Sequence, residues 1–174
     1  MSSEKPATIE VRPSRVHGNG VFAAATIAAG AFICDYKGEL IGADEAEVRD
    51  AARRKKSATA PIYIFRIDDE NFLDATNVVR NNPARFINHS CDDNCEARWD
   101  TAEKRMKIFA TREIPAGAEI FLDYGFELSG FFERPCHCGS KDCCGFVVAK
   151  FLRPALLKKI ARHARARNKA NLGK

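Results

Sequence analysis

Apolar residues in this chain gather in short runs broken by glycine and polar pairs, and few runs carry the three-to-four spacing of a helix. Thr8–Arg12, Gly20–Ala24 and Ala31–Ile41 are rich in Val, Ile and Phe. Gly18, Gly20, Gly30 and Gly38 punctuate them, which predicts β segments joined by tight turns. Gly42–Lys56 is different: it holds strong helix formers, with acids early and bases late, and reads as a helix whose charges suit its dipole. Strand-like pieces return at Ile62–Ile67, Asn71–Ala75, Ala97–Trp99, Met106–Thr111 and Glu119–Leu122, and Leu156–Arg167 has helical spacing with a basic face. The pattern predicts a β-dominated α+β domain and argues against a parallel-sheet nucleotide fold. No repeat or long linker divides it.

Composition narrows the class. At 174 residues the chain suits one domain with a real core, and 45% hydrophobic with 29% charged residues is a globular composition. The longest nearly apolar run, Val21 to Cys34, is 14 residues and contains Gly30, short of the roughly 20 needed to cross a bilayer. The opening MSSEKPATIE has no apolar signal core, so an intracellular protein with no membrane association is expected. Seven cysteines, an odd number, then favour metal ligation or free thiols over a disulfide framework. The net charge of +5 is uneven: nine Lys and Arg and no acid follow Asp142, so the preceding body is mildly acidic and the tail is a basic block.

Three clusters carry candidate chemistry. Cys136, Cys138 and Cys143 stand as C-x-C-x4-C within PCHCGSKDCCGF, with Gly139 and Gly145 allowing tight turns around a metal. Three thiolates need a fourth ligand for a tetrahedral zinc site, and His137, Cys144, Cys91 and Cys95 are the candidates. His137 sits between two ligands, and Cys144 directly follows one. The second cluster, ARFINHSCDDNC over 84–95, places Asn88, His89, Ser90 and Cys91 after an apolar step. Pairing Cys91 with His89 as a hydrolase dyad is disfavoured, because catalytic dyads come from separated segments. The third, AEIFLDYGFE over 118–127, ends an apolar strand in Asp123, Tyr124 and Gly125. Tyr36, Tyr63 and Tyr124 are the three tyrosines; taken singly, each reads as a core ring whose hydroxyl finds one partner.

Together these pieces, over about residues 8–148, resemble the SET-domain protein lysine methyltransferases. SRVHGNGVFA (14–23) is similar to the family's S-x-x-x-G-x-G loop, DYKGELI (35–41) to its Y-x-G-E strand, and YIFRID (63–68) to its Y-x-F-x-[LI]-D segment. ARFINHSCDDNC resembles R-F-[IV]-N-H-S-C, AEIFLDYGFE resembles E-[LI]-x-x-D-Y-G, and the final cysteines resemble the post-SET segment. The resemblance implies small curved β-sheets with a C-terminal pseudoknot. It divides the chain into a SET domain (8–128), a post-SET zinc segment (129–148) and a basic, partly helical tail (149–174). Cys91 is implied as the fourth ligand beside Cys136, Cys138 and Cys143 on a structural zinc.

The implied activity is S-adenosylmethionine-dependent N-methylation of a protein lysine, on a histone or another basic nucleoprotein. His17, Gly18, Asn19, Gly20, Arg85, Asn88, His89 and Phe146 are implied in holding the cofactor, along with Tyr63 and Tyr124. Tyr124 is implied as the active-site tyrosine, with Tyr63 and Tyr36 lining the lysine channel. Leu122 stands where many relatives carry Phe or Tyr, the position tied to how many methyl groups are added. Asp93 replaces the usual Pro, Arg80 a frequent Gly, and Cys144 a frequent Arg. The rival reading is an inactive, zinc-stabilised SET-like binding module on chromatin or nucleic acid, which the retained His17–Gly20, Asn88–His89 and Tyr124 disfavour. The basic tail adds a candidate nucleic-acid contact. The expected compartment is cytoplasm or nucleoid in a bacterium, nucleus or chromosome in a eukaryote.

Overall fold

The computed structural model describes residues 5–57, 61–78 and 80–171, with the side chains of 164 and 166–171 left aside. The chain forms two compact units: one of the residues up to Asn88 together with Asn94–Leu122, the other of His89–Asp93 together with the chain from Asp123 onward. Its elements are β1 (Ile9–Pro13), β2 (Asn19–Ala23), β3 (Phe32–Tyr36), β4 (Glu39–Gly42), α1 (Ala43–Lys56), β5 (Ile64–Arg66), β6 (Asn71–Asp74), β7 (Asn88–His89), β8 (Cys95–Asp100), β9 (Arg105–Ala110), β10 (Glu119–Leu122) and α2 (Arg153–Asn171). Short 3-10 turns at Pro83–Phe86, Phe131–Glu133 and Lys150–Leu152 complete them. The β-dominated α+β reading agrees with this architecture.

In the first unit one sheet runs β1-β2-β10-β8-β9-β3 and a smaller antiparallel sheet runs β4-β6-β5. β10, late in the chain, is inserted between β2 and β8, antiparallel to the former and parallel to the latter. Side chains from this sheet meet in a core that includes Val21, Ile33, Ile108, Ile114 and Ile120, all essentially inaccessible to water. β-Branched residues fit such a pleated, buried surface because their stiff χ1 loses little on packing.

The Ala31–Ile41 segment, expected as one strand, is two strands in two different sheets. Its break has a local cause. Lys37 donates its N–H to the Asn82 Oδ1 (3.1 Å) and its carbonyl accepts from the Asn82 Nδ2 (2.7 Å), so the backbone there bonds a side chain instead of a neighbouring strand. Gly38 then lies so close to the Asp74 backbone that a Cβ would stand 3.1 Å from it.

Asp74 fixes the smaller sheet to α1. Its carboxylate accepts from Arg49 at 2.7 Å and from the Thr76 N–H at 2.8 Å, and Arg49 also binds Glu39 and Glu45. Burial raises the Asp74 pKa, but the Thr76 and Arg49 hydrogen bonds outweigh it, and the carboxyl is held below its ordinary range.

The second unit has its own apolar centre: Phe131, Val148 and Leu156 are buried, with Leu128, Phe146, Leu152 and Ile160 packed around them. Phe146 meets Phe131 edge-on at 4.9 Å. α2 begins at Arg153, earlier than the expected Leu156, and continues past Arg167; the side chains of Arg167 and Lys169, and all of Lys174, lie outside the described residues. Among the described residues no helix is long and apolar enough to cross a membrane.

A group whose folded pKa is depressed stabilises above its unfolded pKa and loses that contribution as pH falls. Asp74→Asn is therefore expected to lower the unfolding free energy at pH 7 by about 1–3 kcal/mol. It should also flatten the acid side of the stability–pH curve, as read by urea denaturation between neutral pH and pH 3.

Candidate functional site

The first unit positions the implied cofactor loop through Asn88. This buried side chain donates to the carbonyls of His17 (3.2 Å) and Asn19 (3.1 Å) and to the Glu119 Oε1 (3.0 Å). His17, Gly18 and Asn19 are exposed, and Gly20 is buried. Gly18 takes the left-handed conformation, φ +49°, with open space where a Cβ would stand. Gly20 matters for a different reason: a Cβ there would lie 2.2 Å from the Glu119 Oε1 and would displace that carboxylate from Asn88. Glu119 also accepts from the Ser14 hydroxyl at 3.0 Å, so one carboxylate ties β10 to both ends of the loop. Sequence reasoning gave Glu119 no role, although it is the first position of the E-[LI]-x-x-D-Y-G motif.

In the same unit Tyr36 is buried and its hydroxyl donates to the Tyr63 carbonyl at 2.7 Å, while its ring lies 5.4 Å from that of Phe65. The Arg85 guanidinium stacks over the Tyr63 ring, 4.0 Å from its centroid. Nε and Nη1 of Arg85 are buried with no hydrogen-bond partner among the described residues. These nitrogens are covered by protein, and the guanidinium lies against the faces of Tyr63 and Phe86. Leu122 is buried in the core of this unit.

The second unit brings the cysteines together. Single ligand atoms of Cys91, Cys136, Cys138 and Cys143 all lie within 4.8 Å of one another. The Cys91 sulfur is 3.9 Å from those of Cys136 and Cys143, close to the edge of about 3.8 Å that a tetrahedron of 2.3 Å Zn–S bonds requires. Cys95 lies apart: it is in β8, and its thiol donates to the Phe121 carbonyl at 3.1 Å. His137 is exposed and outside the group. The Cys144 sulfur stands 3.7 Å from that of Cys91 but outside the four, and it donates to the Phe146 carbonyl at 3.1 Å.

The thiols differ in acidity. Burial pushes Cys91 well above the usual thiol range and Cys136 up to about 12. Burial opposes ionisation of Cys138 too, but the Ser140 hydroxyl and the Cys91 N–H (3.4 Å) more than offset it, and its pKa falls to about 6. The set therefore releases its first proton readily and resists the next, as four crowded sulfurs do until a cation shares the charge.

His89 connects this cluster to the third motif. Its Nε2 lies 3.8 Å from the Cys91 sulfur, and its Nδ1 accepts from the Tyr124 N–H at 3.3 Å. Sequence proximity thus does not keep His89 from Cys91. The hydrolase reading fails instead on the thiol, which is 4% exposed with a raised pKa, whereas a nucleophile needs access and a lowered one. Tyr124 is 39% exposed, with its ring 5.5 Å from His89 and 5.8 Å from Phe126. Asp123, which sequence reasoning left without a role, accepts from the Gly125 N–H (3.2 Å) and the Lys150 N–H (2.6 Å), and so holds the turn after Tyr124. Phe146 is half-buried in the aromatic centre of this unit.

A SET-domain family model matches residues 18–125. The chain is 39% identical over 137 residues to a histone-lysine N-methyltransferase, H3 lysine-4 specific, of Yarrowia lipolytica, covering 77% of this chain and 12% of that protein. The protein of the same description in Saccharomyces cerevisiae is 39% identical over 138 residues, with 77% and 12% covered. Histone-lysine N-methyltransferase trithorax of Drosophila virilis is 40% identical over 132 residues, 75% of this chain and 3% of that protein. The chain thus spans 12% or less of the length of these three relatives. With the NHSC and DYG motifs inside the matched region and the cysteine group beyond it, the chain belongs to the SET-domain family.

Proposed function

We propose that this chain is a protein-lysine N-methyltransferase that uses S-adenosylmethionine and acts on a histone or a similarly basic nuclear protein. The observation that carries the reading is the family match across both the NHSC and DYG motifs, with Tyr124 exposed beside a buried, hydrogen-bonded His89. The relatives' descriptions as histone-lysine methyltransferases support the substrate class and a chromatin location.

In this reading Arg85 is among the residues that hold the cofactor's polar groups. The loop His17, Gly18, Asn19 and Gly20, shaped by Asn88, offers main-chain groups; the family resemblance adds His89, Tyr63, Tyr124 and Phe146 to the binding set. When bound, S-adenosylmethionine supplies the methyl group as an electrophile. The substrate amine must be neutral to accept it, and an ordinary lysine at pH 7 is about 3.4 pKa units from that state, about 4.6 kcal/mol. An apolar aromatic channel disfavours the ammonium and lowers the cost. The Tyr36 hydroxyl is already bound to the Tyr63 carbonyl, so Tyr36 contributes an apolar ring wall, while the Tyr124 hydroxyl orients the amine. Leu122, smaller and more flexible than an aromatic ring, is proposed to set how many methyl groups fit. Cys91, Cys136, Cys138 and Cys143 would hold zinc as a structural ion, joining the segment around Cys91 to the C-terminal residues.

Three outcomes are expected. Tyr124→Phe should reduce S-adenosylhomocysteine release with recombinant histones about a hundredfold while calorimetry still shows cofactor binding; an undiminished rate, or no turnover by the parent on any basic protein, would sink the reading. Arg85→Ala should weaken cofactor affinity about tenfold or more in the same calorimetry, as loss of a charged hydrogen bond predicts. Elemental analysis should find one zinc per chain, lost in Cys138→Ser, and chelation should raise amide exchange in Phe131–Glu133 and Arg153–Ile160 while leaving β8–β9 protected.

A further inference from the structure

The helix α2 has two unlike sides. Leu156 is buried and Ile160 half-buried on one, packed with Phe131 and Val148. Lys158, Arg162 and Arg165 are exposed and, at i, i+4 and i+7, share one stripe on the other. None of the three has an acidic partner among the described residues, and no acid occurs anywhere after Asp142.

Several exposed arginines elsewhere are matched to acids: Arg54 to Asp50, Arg66 to Asp69, Arg98 to Glu96, Arg105 to Asp35. The contrast with α1 is direct, since α1 opens with Asp44 and Glu45 and carries internal Arg–acid pairs. In α2 like charges instead face each other at helical spacing, which disfavours the helix on its own. A row of unpaired cations on an otherwise well-packed helix is relieved by a polyanion laid along it. The stripe is about 10 Å long, a length over which duplex DNA presents about six phosphates. Each long Lys or Arg side chain can reach one of them.

We propose that Lys158, Arg162 and Arg165 form a docking surface for the sugar–phosphate backbone of duplex nucleic acid. The contact is made to phosphates and carries no sequence preference. Regular, unpaired spacing on one helix face favours a regular polyanion over the irregular acidic surface of a protein.

Fluorescence anisotropy of a labelled mixed-sequence DNA duplex, titrated with the full zinc-loaded chain at several salt concentrations, tests this without cofactor or lysine substrate. The readout is therefore independent of the proposed activity. Replacing all three by Gln, a good helix former, should reduce the log–log salt slope by about 2.7, or 0.9 per cation. Between 50 and 200 mM salt the parent should then lose about 40-fold more affinity than the variant. A control with the same charge loss, Arg54→Gln/Arg66→Gln/Arg98→Gln, should leave the slope within about one of the parent's. A drop of two or more confined to the helix variant supports the surface. A smaller drop, an equal drop in the control, or competition by polyglutamate as strong as by unlabelled duplex overturns it; the last would assign the face to an acidic protein. Circular dichroism confirms that α2 persists in the variant, and a parent that binds no duplex at 50 mM salt overturns the proposal without any variant.

Discussion

Short strands leave many backbone groups without a ladder partner, and in the first unit three buried asparagines supply what the ladders do not. Asn82 bonds both backbone groups of Lys37 where β3 stops short of β4. Asn88 gathers the carbonyls of His17 and Asn19. Asn94 donates to the Glu119 carbonyl at 2.9 Å, accepts from the Phe121 N–H at 2.8 Å, and its own N–H donates to the Phe121 carbonyl at 3.1 Å, so it reads β10 as a strand would. An amide side chain carries both a donor and an acceptor and can imitate a peptide group from a fixed position. A carboxylate or an alkyl group of similar size would leave at least one buried backbone group unsatisfied, at a cost of about 1–3 kcal/mol each. The strand breaks, the loop before β2 and the late insertion of β10 all depend on these three residues.

The second unit solves a different problem with fewer residues. Its apolar centre is small, gathered around Phe131, Val148 and Leu156. The rest is a loop-rich segment in which Gly139 and Gly145 take left-handed conformations and four thiols converge. A core of this size does not order such loops by hydrophobic burial alone, and a bound cation is the usual substitute in small or loop-rich units. Arg153 adds a second tie, donating to the Cys91 carbonyl at 2.6 Å from the first turn of α2.

Much of this was legible in the sequence because it rests on local chemistry. The Gly-punctuated Val/Ile/Phe runs marked most of the strands, β10 to the residue, and the early acids and late bases of Gly42–Lys56 marked α1. What was not legible depends on partners distant in sequence. Gly38 was the one sign of a break within Ala31–Ile41, and nothing in the run pointed to Asn82, more than forty residues later, as its cause. The fourth ligand had four candidates by residue chemistry, and the family resemblance, not spacing, pointed to Cys91. Glu119 and Asp123 stood in the E-[LI]-x-x-D-Y-G motif without a role; their roles appear only once the Gly20 backbone and the Lys150 N–H are seen against them. The 3-10 turns escaped because three or four residues carry too little periodicity to register.

His89 shows why the NHSC and DYG motifs belong to one structural argument. Its Nδ1 accepts the Tyr124 N–H and lies 3.7 Å from the Asp123 Oδ1, while its Nε2 faces the Cys91 sulfur 3.8 Å away. The imidazole therefore bridges the backbone of the exposed tyrosine and one corner of the thiol cluster. Asp123, next to Tyr124, meets Arg153 at 3.8 Å, and Arg153 returns to the Cys91 carbonyl. Two short polar paths thus join the first residue of α2, the tyrosine turn and Cys91, each through groups that are buried or half-buried. The cysteine and tyrosine segments thus share a hydrogen-bonded neighbourhood, though the chain separates Cys91 from Tyr124 by more than thirty residues.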